Sequence, residues 1–357
     1  MGRSGTTRRL LTLIGLGILA LVLTIMFIFD GRDILDEVFS LDLRYVFLSF
    51  LCFLGLQLAW AIKFYILVRR RVPMARFPYV ALVNMAGNFV NITTPSGRMA
   101  GEPLRASYIA RKYGSRFSTI FAAGMVDKMT FTVAMLLLLI PLMVWASLKY
   151  DMPDLLQLLL GSFILFWVVV GLVSFILFKS LSEGRSVKWG MFLHRVIRFF
   201  LRGRMKDSSY FIERFKNGVL EFKGTFVKLS KNPLRMCLDL TFALLVHGLR
   251  FSAAYMLFIA TGHSEHFLTV ATVVMMAFVI GLMTQLPGMI GVGELLMTLL
   301  YKATGVNSAR AFTVSVLTQL DSYIFEIGLG YLCLILSNII DRKDKAKEAA
   351  MDLKKVG

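Results

Sequence analysis

The sequence predicts an all-α polytopic integral membrane protein, with about six full transmembrane helices and two re-entrant helical hairpins in inverted-topology repeats. Three observations predict it. The 357 residues are 57% hydrophobic with a mean hydropathy of +0.70, which a water-soluble globule does not sustain. Five or six runs approach or exceed the roughly 20 apolar residues that cross a bilayer. Two further apolar stretches are broken midway by Pro and Gly, and the two breaks share one pattern.

The full spans are expected at about 10–29, 44–68, 116–147, 157–179, 234–260 and 310–339. The first follows Arg8-Arg9 like a signal peptide. It is too long for the apolar core of one and lacks a clear small-residue cleavage site, so it is expected to remain as an anchor. The interrupted stretches run from Tyr79 to Lys112, broken at NITTPSGRMAGEP, and from Phe267 to Thr304, broken at TQLPGMIGVGE. Each half is short for a span, and a break of Pro and Gly is the sequence form of a hairpin that enters and leaves on one side. One domain covers 1–340, with repeat one at about 44–147 and repeat two at about 234–339. A basic amphipathic interfacial segment, 180–233, lies within it, and 341–357 is a charged tail.

Charge placement sets the orientation. The net charge of +18 could suggest nucleic acid, but the basic residues collect between spans. With the N-terminus cytoplasmic and both hairpins re-entrant, the inner segments hold 30 Lys and Arg and the outer ones 5. That bias predicts a multi-pass cell (plasma) membrane protein with both termini in the cytoplasm. In 188–202, Lys188, Arg195, Arg198 and Arg202 face away from Trp189, Phe192, Val196 and Phe199. A second apolar stripe runs Phe211, Phe215, Val219, Phe222, Phe226, Leu229. Such faces fit helices lying on anionic inner-leaflet lipids rather than on nucleic acid. Cys52, Cys237 and Cys333 lie in apolar runs with no pairing or metal-ligand spacing, so no metal, redox centre or cofactor is expected.

The breaks align as PSGRMAGEPL (95–104) and PGMIGVGELL (287–296): Pro95 with Pro287, Gly101 with Gly293 and Glu102 with Glu294, all at an offset of 192. Polar residues precede each proline: Asn84, Asn88 and Asn91 in one copy, Thr284 and Gln285 in the other. A short helix and a glycine, Gly114 or Gly305, follow. The charge bias makes the two copies run in opposite senses, the arrangement in which transporters gather broken helices about a substrate route. Helix N-termini at the breaks would offer N–H groups to a phosphate, and Glu102 and Glu294 fall in first turns where a carboxylate suits the dipole. Both glutamates could equally be simple caps. A charge at mid-membrane costs about 2.5–3.5 kcal/mol, and its repetition favours function. Arg98, in the first copy alone, is the first candidate for a phosphate contact, with a snorkelling or Glu-paired role as its alternative.

GEPLRASYIARKYG, the following span with Asp127-Lys128, and PGMIGVGE resemble the lysylphosphatidylglycerol synthase transmembrane-region family over about residues 10–340. The resemblance implies a stand-alone flippase-like domain that moves lipid between leaflets, either an aminoacylated or anionic phospholipid or a polyprenyl-phosphate-linked one. It departs from the family where Asp127-Lys128 stands for the usual Glu-Arg, and at Gln319, near a frequent Arg. Both changes weaken bidentate phosphate recognition. The tail DRKDKAKEAAMDLKKVG carries no aminoacyl-transferase domain, so no catalytic residue is expected.

The route would be lined by Arg98, Gly101, Glu102, Arg105, Asp127, Lys128, Gly293, Glu294, Asn88 and Gln285. Asp127 and Lys128 could instead be an internal ion pair with neighbours. His247, Arg250, Asp321 and Glu326 are expected to be structural or gating, with Arg250 bridged to Asp321 or Glu326 and a proton relay at His247 as the other reading. A homo-oligomer is left open. Two competitors stand beside lipid transfer. One is a polyprenyl-phosphate glycosyltransferase using the outer loop DGRDILDEVFSLD (Asp30, Asp33, Asp36, Glu37, Asp42), with Asp36-Glu37 as base or metal ligands. The other is a small-solute secondary transporter. No P-loop is present, so ATP hydrolysis by this chain is not expected.

Overall fold

The computed structural model describes residues 36–94, 99–150, 161–162, 164–169, 171–172, 191, 208–284 and 288–356. The span expected at 10–29 lies outside them, as do most of 157–179 and 188–202. Among the described residues every regular element is helical. The helices are α1 (Leu43–Arg69), α2 (Phe77–Thr93), α3 (Gly101–Lys112), α4 (Phe117–Lys149), α5 (Ser208–Ser230), α6 (Pro233–Ala260), α7 (Phe267–Thr284), α8 (Val292–Ala303), α9 (Ser308–Ser322) and α10 (Gly330–Val356). A π-helical segment, Tyr323–Leu329, joins the last two.

Local signals set the boundaries. Asp42 begins α1 by accepting from the Arg44 N–H at 2.9 Å, Asn232 begins α6 with Pro233 just inside it, and Asn307 begins α9. Such caps contribute about 1 kcal/mol each. α3 and α8 both end before a glycine with positive φ, Gly114 at +61° and Gly305 at +90°. That left-handed geometry closes a helix cheaply only without a side chain. Among the described residues four helical runs are long and apolar enough to cross a membrane: α1, α4, α6, and Ser308–Lys343 across the π segment.

The helices register at the offset seen in the breaks. Adding 192 to the bounds of α1, α2 and α3 gives 235–261, 269–285 and 293–304, each within two residues of α6, α7 and α8. Adding it to α4 gives 309–341, the extent of α9 through the first turns of α10.

α1 and α6 pack antiparallel at the centre. Arg70 pairs with Asp239 at 2.9 Å at one end, and the Asp42 N–H bonds the Ala260 carbonyl at 2.9 Å at the other. The α2–α3 pair starts and finishes at the Arg70 end, where the Arg76 N–H donates to the Tyr113 hydroxyl at 3.0 Å. The α7–α8 pair starts and finishes at the opposite end. Its first residue, Phe267, meets Tyr255 (5.4 Å between rings), and Tyr301 meets Phe258 (4.8 Å), both partners near the C-terminus of α6. Arg310 and Glu37 pair there too, at 2.9 Å. The two helix pairs therefore approach from opposite ends, and their breaks touch: the Gly288 N–H donates to the Ile92 carbonyl at 3.0 Å.

Large apolar side chains such as Phe47, Leu58, Leu137, Ile140 and Leu332 face outward, while Lys63, Glu102, Arg105, Asp127 and Glu326 are buried. Charge inside and hydrocarbon outside is the distribution that a lipid solvent selects. One sequence expectation needs correction. The α5 stripe is not left wholly to a membrane surface: Leu229 is buried with Leu67, Ala123 and Val126, and Phe222 lies 5.9 Å from Phe121. Glu221 fixes the contact by accepting from Ser118 and Thr119, each at 2.8 Å, with Arg116 beside it.

Candidate functional site

The first polar cluster takes one face from each of four helices. Gln57, Trp60 and Lys63 recur every three residues on α1, and Asn84, Asn88 and Asn91 share the inner face of α2. Glu102 and Arg105 come from α3, and Asp127 and Lys128 from α4. Lys63 Nζ contacts Asp127 Oδ1 at 2.7 Å and the Asp127 carbonyl at 2.8 Å. Arg105 binds Glu102 Oε1 at 2.9 Å, the Asn84 carbonyl at 3.3 Å and Asn88 Oδ1, and approaches Asp127 at 3.8 Å. Lys128 reaches the same Glu102 oxygen at 3.3 Å and lies over the Trp60 ring. The Trp60 indole N–H donates to Asp127 at 3.3 Å. Three cations thus face two carboxylates where hydrocarbon could solvate none of them.

Glycines make the room. A methyl at Gly101 would come within 2.7 Å of the Gly87 carbonyl carbon, one at Gly87 within 2.7 Å of Arg105 Cγ, and one at Gly124 2.5 Å from Glu102 Oε2.

The second cluster is lighter. Glu294 Oε2 accepts from the Gly291 N–H at 2.8 Å, and Oε1 from the Tyr323 hydroxyl at 2.7 Å. Tyr323 opens the π segment, a helix distortion found often at functional sites. Gly293 lies against the Gln319 amide. Arg250 pairs with Glu326 at 3.5 Å and lies over Phe278. Beside the touching breaks is a cavity of about 80 Å³, lined in part by Asn91, Thr94, Arg250, Gln319, Asp321 and Tyr323.

Several expectations change on this geometry. Glu102 and Glu294 are both buried, but each serves its own cluster and neither lines the cavity. Two described N–H groups at the breaks already have partners within the protein, since Gly101 donates to Asn91 Oδ1 at 2.7 Å and Gly291 to Glu294 at 2.8 Å. Arg105, expected to line the route, is fully buried, with Glu102 and Asn88 as its partners. Asp127 and Lys128 pair across helices, with Lys63 and Glu102 respectively. Of the two partners expected for Arg250, Glu326 makes the ion pair, while Asp321 accepts from Ser49 at 2.9 Å. His247 is enclosed by Phe131 and Phe278 rather than facing the cavity. In the outer loop, Glu37 pairs with Arg310 and Asp42 caps α1. Arg98, Gln285, Asp30 and Asp33 lie outside the described residues.

Lys63, Ser49, Asp239 and Tyr323 went unnoticed in the sequence. Lys63 had a usable signal: an ammonium amid the α1 span needs a carboxylate, and Asp127 is the acid within the α4 span.

A helical bundle that buries ion pairs and turns its leucines outward is a multi-pass membrane protein. The chain belongs to the family of the lysylphosphatidylglycerol synthase TM region, whose model matches residues 12–330. A UPF0104 membrane protein of Pyrococcus horikoshii is 26% identical over 304 residues, covering 83% of this chain and 88% of that one. Another, from Methanothermobacter thermautotrophicus, is 26% identical over 326 residues, covering 89% and 92%. A third, from Methanocaldococcus jannaschii, is 23% identical over 330 residues, covering 90% and 94%. No solved structure matches.

Proposed function

We propose that this protein is a flippase-like lipid transporter, not an enzyme. It would pass an anionic or aminoacylated phospholipid, or a polyprenyl-phosphate-linked lipid, between the leaflets of the cell membrane. The observation that carries the reading is the Gly288–Ile92 contact, where two helix pairs entering from opposite ends meet break to break beside a polar-lined cavity. In a bilayer, backbone that is not helical must be enclosed by protein or line a wet passage. In this reading α2–α3 and α7–α8 are re-entrant hairpins of an inverted repeat, accompanied by six full spans with both termini cytoplasmic, and the 192-residue register supports the repeat. The cation excess of the first cluster, with Lys128 at its partly exposed edge, suits a phosphate drawn along the hairpin. Lys228, exposed near the end of α5, would rest against anionic inner-leaflet lipid.

A cavity of about 80 Å³ has room for only a few water-sized groups, so the hairpins must part to admit a head group. Glycosyl transfer draws less support, because Glu37 and Asp42 of the acidic loop are already engaged.

The test is transfer of tail-labelled phosphatidylglycerol, its lysyl ester and a polyprenyl phosphate in vesicles containing the purified chain, read by quenching the outer leaflet. Transfer of at least one lipid is expected, and its loss in Glu102→Gln and Glu294→Gln variants that remain monodisperse. Absence of transfer for all three lipids, or wild-type rates in both variants, would refute the proposal.

A further inference from the structure

The cavity beside the breaks presents a carboxylate that no cation answers. Asp321 lines it, and its hydrogen bond comes from the Ser49 hydroxyl at 2.9 Å. Asp321 forms no ion pair with any described residue. Its buried counterparts are answered: Glu102 by Arg105 and Lys128, Asp127 by Lys63, Asp239 by Arg70 and Glu326 by Arg250. Glu294 has no cation either, but receives two hydrogen bonds and sits in the first turn of α8, where the helix dipole favours negative charge. Asp321 lies in the last turn of α9, where the helix runs straight on into the π segment, and has neither form of support. A partly buried carboxylate with a single hydroxyl donor and no cation is costly, and gaining a positive charge is the direct way to offset that cost.

We propose that Asp321 anchors a site for one small positive charge: a free monovalent cation, or the ammonium end of a lipid head group. Arg250 also lines the cavity but pairs with Glu326, and the same walls offer neutral oxygens from Asn91, Thr94, Thr318, Gln319 and Ser322. Carboxylate, amide and hydroxyl oxygens are the donors that hard cations take, and an ammonium accepts the same set as hydrogen-bond partners. Size agrees, since a cavity of about 80 Å³ takes a partly hydrated alkali ion or one ammonium but not a sugar phosphate. Position gives the site a consequence. Asn91 and Thr94 belong to the first hairpin and Asp321 to the helix behind the second, so an occupant would bridge the two halves where their breaks touch. The inference stands on the cavity itself and does not need lipid transfer to be correct.

The experiment measures thermal unfolding of the purified full-length chain in an uncharged detergent. Chlorides of sodium, potassium and N-methylglucamine are compared at equal ionic strength, then phosphatidylethanolamine against phosphatidylglycerol. Near saturation the midpoint is expected to rise by about 5 °C with the matching ligand. That rise should vanish in Asp321→Asn and persist in part in Asp321→Glu. A rise with sodium or potassium identifies a free cation, and one with the ethanolamine lipid alone identifies a head group. Should Asp321→Asn fail to fold, Ser49→Ala replaces it. That variant removes the remaining donor and should make the midpoint depend more steeply on the cation. Equal wild-type midpoints in all salts and both lipids, or undiminished shifts in Asp321→Asn, would overturn the site. Because this readout involves no transport, equal midpoints in all salts and both lipids with active lipid transfer would sink only the cation site, and the reverse would sink only the transporter reading.

Discussion

Asp127→Asn is expected to cost more stability than Lys63→Met, and the double variant less than Asp127→Asn alone. In the first cluster Lys63, Arg105 and Lys128 face Glu102 and Asp127, an excess of one positive charge. Asp127→Asn raises that excess to two and leaves the fully buried Lys63 ammonium with neutral acceptors alone. Removing one partner of a buried pair costs about 3–5 kcal/mol. Lys63→Met makes the cluster neutral instead. Asp127 keeps Arg105 at 3.8 Å and the Trp60 indole at 3.3 Å, so the loss should be nearer the worth of one charge-assisted hydrogen bond, about 2 kcal/mol. Combining the two restores the original excess and removes both stranded groups, so the cycle should show coupling of at least about 2 kcal/mol. Unfolding free energies from denaturing-detergent titrations in mixed micelles, followed by circular dichroism, would measure all four proteins. Equal costs for the two single variants, or additivity in the double, would refute this account of the cluster.

Four further outcomes follow from particular contacts. Gly101→Ala puts a methyl against the Gly87 backbone, which no rotamer relieves, and should cost over about 3 kcal/mol or prevent folding. Gly55→Ala meets only a flexible Leu249 side chain at 3.6 Å and should fall within about 1 kcal/mol of neutral, on the stabilising side, by the same titration. Tyr323→Phe removes the 2.7 Å bond to Glu294 and should lower stability by about 1.5–3 kcal/mol in thermal melts. Burial alone would raise the Glu221 carboxyl, but Ser118, Thr119 and Arg116 together hold it below the ordinary carboxylate value of 4.5. Its contribution is therefore present above that pH and fades as pH falls through the lowered value. A spin-label distance between α4 and α5 should stay fixed from neutral pH to 4.5 and lengthen below it, and should be longer at every pH in Glu221→Gln.

Most of the helical scaffold was legible because its signals are local. Apolar length marked α1, α4 and α6, and Pro with Gly marked both breaks. The repeated Gly-Glu placed α3 and α8 to within a residue or two. The side-chain partners were not legible, because they depend on which faces meet. Lys63 and Asp127 are 64 residues apart, and Ser49 and Asp321 are 272 apart. Nothing in the sequence tells a glutamate that pairs with Arg105 from one that bonds Tyr323. The π segment was hidden for another reason: its seven residues, YIFEIGL, carry the composition of an ordinary span.

The two halves preserve backbone and discard charge. Gly101 and Gly293 each abut a neighbouring element, and Glu102 and Glu294 each enter a first turn. At the same offset, however, Lys63 corresponds to Tyr255, Arg105 to Met297, Asp127 to Gln319 and Lys128 to Leu320. Close helix approach is thus required in both halves, since glycine is kept where a methyl would collide, while a buried ion cluster is required in one. The halves consequently resist distortion unequally. Moving α3 with its hairpin means parting Arg105 from Asp127 and Lys128 from Glu102, contacts whose partners cannot find water in their place. Moving α8 means releasing Glu294 from one hydroxyl and sliding methionines such as Met289, which lies on Gly281 and can repack at small cost. If the breaks separate to admit a head group, the first hairpin is the fixed jaw and the second the one that travels.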